Sequence, residues 1–365
     1  MKKVLFLPFL QIPSGHHQVA DALIDGIKRL DSSIVTEKVD LLHYGYGKIE
    51  RLVSGVYIKW ITYLPQVYSW IYHKSVCKDL EEEKRFRHYE LLFLSVMQDL
   101  INEKKPDVIV CTHALPSYML SQLKERGIIS IPIINAYTDF FINHLWGMKG
   151  IDYHFAPSIL MKQFLLDKGV EQSKIAVTGI PVHPMITRGS ISETNEKHNH
   201  LLITGGSLGV GLMEKLVAKL PQTSTQYSVL CGKNEKLYKQ LLHLKKDNIR
   251  AIPFISSREE MAQLYSGCDG IITKPGGVTV SESLHHRKPI FVYHTLPGQE
   301  EMNLEQLEHL GIAIHLKSWQ ETDTIEQNLR NFFESEQQTR KIYTNIMQYH
   351  AQIEHNQPAR IIAEL

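Results

Sequence analysis

Long apolar runs are missing from this 365-residue chain. No stretch reaches the roughly 18 apolar residues that a membrane-crossing helix needs. Cysteine is scarce: Cys77, Cys111, Cys231 and Cys268 stand alone, with no CxxC pair, which excludes a disulfide framework and fits a reducing compartment. Net charge is nearly absent. Forty Lys and Arg face 39 Asp and Glu, so a formal charge of +1 provides no global field for nucleic acid. Histidine is plentiful at 19, yet no HExxH or Cys/His cluster has metal-ligand spacing, and no metal is expected. The opening "MKKVLFLPFLQIP" mimics a signal peptide in its basic start and apolar run. No small-residue cleavage site follows, and the run reads as a buried first strand.

Short β-rich runs alternate with helical patterns along the chain. "KVLFLPF", "DVIVCTH", "IPIINAY" and "DYHFAP" form a first series. "HLLITGG", "QYSVLCG", "IRAIPFI", "CDGIIT" and "KPIFVYH" form a second, separated by helical spacing near 209–220, 234–245, 257–266, 277–286 and 300–310. Continuous apolar strands joined by helices predict parallel sheets covered on both faces, and two series predict two doubly wound α/β domains. "TGIPVHPMITRGSISETNEKHNH" carries two prolines and a polar tract and reads as the linker, roughly 179–200. The expected division is 1–183 and 184–342, with a C-terminal helix near 343–365 packing back on the first domain and a kink near Pro358.

Ligands of open α/β sheets bind at the carboxyl ends of strands, so the residues that follow each strand carry the functional reading. After the first strand, Pro13-Ser14-Gly15 is followed at once by His16 and His17, and then by helical spacing. "LLITGGSLGVG" runs a strand into Gly205, Gly206, Ser207 and Gly209, where backbone N–H groups can approach an anion; a plain tight turn is the alternative. "CDGIITKPGGVTVSESLHHRKPIFVYHTLPGQEEMN" is the most specific segment. Lys274, Gly276 and Gly277 open a helix carrying Thr279 and Glu282; the next strand delivers Gln299, Glu300 and Asn303. Glycine amides suit a phosphate, a carboxylate suits vicinal ribose hydroxyls, and amides suit a polyhydroxylated ligand. Helix-start chemistry alone explains the glycines but not the whole set.

The pattern KPGG…SE…PGQE…N resembles the sugar-nucleotide half of GT-B glycosyltransferases. The nearest group is the monogalactosyldiacylglycerol synthase and bacterial diacylglycerol glucosyltransferase family, with the lipid II N-acetylglucosaminyltransferase more distant. The resemblance extends to "SGHHQVADAL", "AYTDFFINHLW", "VTGIPVHP" and "TGGSLG", and so covers nearly the whole chain. It implies a GT-B fold, two Rossmann-like domains facing across a cleft, the first for the acceptor and the second for the donor. It implies a histidine base after the first strand, a position that His16 matches. The family often has more glycine where this chain has Pro13-Ser14-Gly15, which leaves acceptor preference open. His17 reads as solvated or acceptor-lining. The implied donor-binding set is Gly15, Gly205, Gly206, Ser207, Gly209, Phe254, Lys274, Gly276, Gly277, Thr279, Glu282, Gln299, Glu300 and Asn303. Asp139 has two readings of equal weight: it orients His16 or binds the acceptor, or it caps the following turn. His113 reads more readily as structural than as cleft lining.

The implied reaction is one inverting displacement: a hexose, glucose being the commonest choice, moves from a UDP-sugar to a hydroxyl, with no cofactor and no metal. An unperturbed imidazole titrates near neutrality, so His16 can take the acceptor's proton. The segment Tyr44–Lys78 holds eight Tyr or Trp and five Lys or Arg against one acid, Glu50. Such a mixture suits a bilayer interface and, with the family's membrane-facing lobe, implies diacylglycerol or a glycosylated diacylglycerol taken from the inner face of the cell membrane by a cytoplasmic, peripheral enzyme. An internal helical pair is the competing reading of that segment. A soluble or natural-product acceptor is the alternative function. A UDP-sugar 2-epimerase ranks lower because an epimerase needs no acceptor lobe, and a nonenzymatic nucleotide sensor lower again.

Overall fold

The computed structural model describes residues 1–9, 14–47, 85–186, 189, 200–206, 212–244, 246–296, 298–317, 319–320, 325–353 and 358–365. The chain divides into two units, Met1–Pro184 with Gln352–Leu365, and Met185–Ala351.

In the first unit, β1 (Lys3–Leu7) leads to α1 (Gly15–Leu30), β2 (Val35–Lys38), α2 (Leu41–Tyr46) and α3 (Arg87–Lys104). Then come β3 (Val108–Cys111), α4 (Ala114–Glu125), β4 (Ile133–Ala136), β5 (Tyr153–Ala156), α5 (Ile159–Asp167) and β6 (Ile175–Val177). The strands form one parallel sheet in the order β2-β1-β3-β4-β5-β6. Val4 to Leu7, Val108 to Cys111, and Ile133 and Ile134 have no exposed surface. That is why these runs read as continuously apolar: helices cover both faces of a parallel sheet.

The second unit repeats the plan. It contains β7 (His200–Thr204), α6 (Met213–Lys219), β8 (Gln226–Leu230), α7 (Glu235–Leu242), β9 (Ile249–Ile252), α8 (Arg258–Ser266) and β10 (Gly270–Thr273). α9 (Gly277–His285), β11 (Ile290–Val292), α10 (Gln299–His309), β12 (Ile314–His315), α11 (Ile325–Glu334) and α12 (Glu336–Gln352) follow. The sheet order is β12-β11-β10-β7-β8-β9, again parallel, with Thr204 level with Thr273 and Thr273 level with Val292.

Each sheet reverses its direction of growth once. From β1 the chain adds β2 on one side and then β3 on the other; from β7 it adds β8 and β9 on one side and β10 on the other. The switch points are therefore β1/β3 and β7/β10. Loops leaving adjacent strands there turn to opposite faces and open a crevice at the carboxyl ends.

Three strands were not expected: β2, β6 and β12. All three are sheet edges. β2 is partly exposed along its length and β12 has only two half-buried residues, so neither produces an apolar run. The C-terminal boundary also differs from the expected helix 343–365. Residues up to Ala351 belong to the second unit, because Asn345 donates to the Gly311 carbonyl at 2.8 Å and His350 Nε2 lies 2.7 Å from that of Leu284. Only the last helix, α13 (Pro358–Glu364), joins the first unit. Pro358 opens it at the first helical position, where the missing N–H costs nothing.

α13 packs on α1 at Gly26, where a Cβ would sit 2.9 Å from that of Ala359. Lys2 Nζ donates to the carbonyls of Ile362 and Ala363 at 2.9 and 2.7 Å, so a cation closes the carbonyl end of α13. Among the described residues no helix is long and apolar enough to cross a membrane. Ile362 has no exposed surface, and Ile362→Ala should destabilise the protein by about 2–5 kcal/mol, read as a lower denaturant midpoint.

Candidate functional site

Two groups of side chains sit at the two switch points. At the first, Ser14 takes the N-cap position of α1 with extended backbone, and His16 falls in the first helical turn. β3 ends beside it, so the carbonyl of Thr112 lies 2.8 Å from His16 Nδ1. A carbonyl can only accept, which assigns the proton to Nδ1 and leaves the Nε2 lone pair available on the neutral ring. Thr138 Oγ1, after β4, is also 2.8 Å from Nδ1, so the one N–H is shared between two oxygens.

Burial is the largest influence on this imidazole and lowers its pKa below the ordinary value. The Asp139 charge and the Thr112 carbonyl push it back up, while His17 adds to the lowering. The ring's place in the first turn, at the positive end of the helix, acts in the same direction as burial. Asp139 is thus close enough to act on His16 electrostatically, whichever contacts it makes itself. His17, next on α1, is half-buried.

His113 has a structural task. Its Nδ1 accepts from the N–H of Leu115 at 3.1 Å, capping α4, and its ring stacks on Phe9 with centroids 4.9 Å apart. The ring also meets His16 edge-on at 4.7 Å. Burial and the neighbouring His16 hold its pKa well below the usual value, so it stays neutral beside the first imidazole.

At the second switch point, Gly205 and Gly206 leave β7. Gly206 adopts φ +77°, a conformation that favours glycine, and its N–H donates to Thr204 Oγ1 at 3.2 Å. Ser207 and Gly209 lie outside the described residues. After β10, Gly276 forms the N-cap of α9 with no side chain to satisfy the first turn. The Gly276 N–H already donates to the Lys274 carbonyl at 2.8 Å. The amides of this turn left without an intrahelical acceptor are therefore those of Gly277, Val278 and Thr279, the kind of group that suits an anion. A Cβ at Gly276 would meet nothing within 4 Å, so the approach to them is open. Thr279 is half-buried, and its carbonyl accepts from Ser283 Oγ at 2.7 Å.

Lys274 and Glu300, read from the sequence as separate ligand groups, are paired. Lys274 Nζ donates to Glu300 Oε1 at 2.8 Å, and Glu300 Oε2 accepts from the Leu296 N–H at 2.6 Å. Gly298, at φ +91°, makes the turn that brings α10 and Glu300 back over β10. Gln299 is half-buried beside Glu300, while Asn303, one turn on, is only 1% exposed. Glu282 is buried on α9; its Oε2 accepts from the Tyr265 hydroxyl at 3.0 Å, and its Oε1 lies 3.9 Å from Arg258 Nη1. Phe254 follows β9 and is 48% exposed, with Lys233 Nζ 5.4 Å from its ring centre.

A parallel-sheet pair with phosphate-suited helix starts on one sheet and an oriented imidazole on the other invites comparison with known proteins. The family model for monogalactosyldiacylglycerol synthase matches residues 16–182, and that for the glycosyltransferase family 28 C-terminal domain matches residues 200–356. The glycosyltransferase YkoN of Bacillus subtilis (strain 168) is 43% identical over 352 residues, covering 96% of this chain and 93% of the relative. The chain belongs to the monogalactosyldiacylglycerol synthase family of glycosyltransferases. The processive diacylglycerol beta-glucosyltransferase of the same Bacillus subtilis strain is 28% identical over 361 residues, 96% of this chain and 91% of that one. The crystal structure of MurG from Acinetobacter baumannii has a TM-score of 0.62 at 18% identity and covers 100% of this chain and 98% of that one. The S. aureus MnaA–UDP co-structure has a TM-score of 0.56 at 15% identity, over 94% and 91% of the two chains. These two likenesses bear on the fold alone, which is GT-B.

Thr138 and Tyr265 were missed in this glycosyltransferase by the sequence reading. Thr138 adjoins Asp139 at a strand end, a position that could have flagged it. Tyr265 reads as one more apolar residue of an amphipathic helix. The segment Tyr44–Lys78, assigned to the membrane interface, is described only to Gly47; the remainder lies outside the described residues. His16 should titrate below about 6.5 in NMR-monitored titration, and Asp139→Asn should lower it further, because the charge that raises it is gone.

Proposed function

We propose that this glycosyltransferase moves a hexose, glucose in the first instance, from a UDP-sugar to a hydroxyl of diacylglycerol or glycosyl-diacylglycerol at the inner membrane surface, with inversion. The first unit takes the acceptor and the second the donor. The acceptor O–H gives its proton to His16 Nε2, its oxygen bonds to the anomeric carbon, and the bond to the diphosphate breaks with the electron pair leaving on UDP. The amides opening α9 and those of the 205–209 turn stabilise the departing charge, as preorganised donors do in a site where they need not reorient. Asp139 stabilises the imidazolium that forms. Glu282 binds the ribose, Gln299, Glu300 and Asn303 serve the sugar, and Phe254 offers a face to the base. No metal or other cofactor takes part.

The observation that carries this reading is the His16 tautomer. A histidine whose Nδ1 proton is fixed by a backbone carbonyl has a basic Nε2 and a set ring plane, which is what a general base needs. The substrate class proposed is that of a similar protein, a processive diacylglycerol beta-glucosyltransferase, which matches nearly the whole chain. A soluble acceptor is the second reading, favoured by Pro13-Ser14-Gly15 before His16.

His16→Ala should lower kcat about 10²–10⁴-fold while the affinity for UDP, measured by calorimetry, stays within about twofold. UDP release should depend on vesicles containing diacylglycerol and persist in EDTA. Release with a soluble alcohol and none with vesicles would select the second reading, and sugar conversion without any acceptor would refute both. The acid limb of kcat/KM should fall below pH 6.5, because burial favours the neutral ring.

A further inference from the structure

Glu282 faces two opposing demands if, as proposed above, it binds a ribose. It must stay ionised although it is buried, and one of its oxygens must remain available to the ligand. Burial pushes its carboxyl up from the ordinary range, and among the described residues two groups counter this, the Tyr265 hydroxyl and the Arg258 guanidinium, both from α8. Arg258 stands off at 3.9 Å, beyond hydrogen-bond range, whereas Tyr265 makes a direct bond of 3.0 Å.

The phenol is held as a rigid donor. Tyr265 is 1% exposed and sits in the core cluster with Leu202, Leu230, Ile252 and Cys268. Its other face stacks on His286, centroids 5.3 Å apart and planes within 10°. His286 lies one turn beyond Glu282 on α9, and its N–H donates to the Glu282 carbonyl at 3.1 Å. The residue that clamps the ring is thus on the same helix as the carboxylate. Burial, with Glu282 and Cys268 adding negative charge nearby, raises the Tyr265 phenol well above its ordinary value, so it remains a donor at every working pH.

We propose that Tyr265 is the positioning residue of the donor site: its hydroxyl pins Glu282 Oε2, so that Oε1 is the oxygen presented to the vicinal hydroxyls of the nucleotide ribose. Two hydrogen-bonding arms then meet on one carboxylate, one from the core and one from the ligand. The inference rests on the ribose assignment of Glu282, and the test separates the two.

UDP binding is measured by calorimetry from pH 5 to 9 in the wild type, Tyr265→Phe and Glu282→Gln. Tyr265→Phe keeps the ring, its stacking on His286 and its core contacts, and removes only the donor. It should bind UDP about 2–10-fold more weakly even at the alkaline end, because the ionised carboxylate is no longer pinned, and lose affinity on acidification about one pH unit earlier, because the carboxyl protonates more readily without its hydrogen bond. Glu282→Gln should weaken UDP about tenfold or more with no such acid limb. The rise in melting temperature that UDP induces, followed over the same pH range, is an independent readout and shows that each variant is folded. Wild-type UDP affinity in Tyr265→Phe at the alkaline end, or an unmoved acid limb, overturns the positioning role while Glu282→Gln still reports on the ribose. Unchanged UDP affinity in Glu282→Gln removes the ribose assignment, and the positioning role with it.

Discussion

All twelve strands described here run parallel within their sheets, and that single constraint decides where chemistry can be placed. A parallel sheet puts every carboxyl end on one side, so the loops leaving successive strands converge there although their residues are far apart in sequence. His16 and Thr112 are 96 positions apart and meet because β1 and β3 are neighbours with Leu7 level with Cys111. Gly206 and Gly276 are 70 positions apart and meet the same edge of the other sheet because Thr204 is level with Thr273. A one-residue change of register at either pair would turn the inward side chains to the other face and dissolve both groups.

The electrostatics of His16 follow from that placement. A half-buried imidazole at a helix start is disfavoured as a cation, which favours the neutral ring at neutral pH and makes its free nitrogen less basic. Asp139 offsets part of this, and Thr112 and Thr138 give the proton at Nδ1 two oxygens to share when the ring becomes charged. The arrangement favours the neutral ring and still supports a charged one, as the proposed base would require. His113 contributes by remaining neutral: a second imidazolium at 4.7 Å would oppose the first, and its own place as a helix cap, with Nδ1 accepting, forestalls that.

The central strands were legible because doubly buried strands are written as unbroken apolar runs, and candidate site residues could be named because they follow those runs. The edges were not. "VTEK" of β2 has a single apolar residue, Val35, which is itself 42% exposed, and no periodicity distinguishes the run from a loop. Within the site, the residue types were visible but their pairings were not. The acceptor that orients His16 is a backbone carbonyl, which every residue possesses, so no side-chain motif can announce it. Tyr265 is invisible for a different reason: its ring belongs to the core and only its hydroxyl belongs to the site.

The pairing of Lys274 with Glu300 changes how the donor side balances charge. A lone lysine with 7% exposure would carry a desolvation cost of several kcal/mol, and a carboxylate at 2.8 Å offsets much of it. The pair is therefore neutral as a unit, and the diphosphate proposed above would have the amides opening α9, rather than an unpaired lysine, as its donors. Glu300 has each oxygen engaged once, by Lys274 and by the Leu296 amide. A carboxylate has about four acceptor positions, so each oxygen can still take a sugar hydroxyl. Its rotamer is already fixed by the two existing bonds, and less entropy is lost when a hydroxyl arrives. If Glu300 serves the sugar as proposed, selectivity among hexoses depends on which hydroxyls reach two lone pairs whose directions the protein has set in advance, rather than on charge.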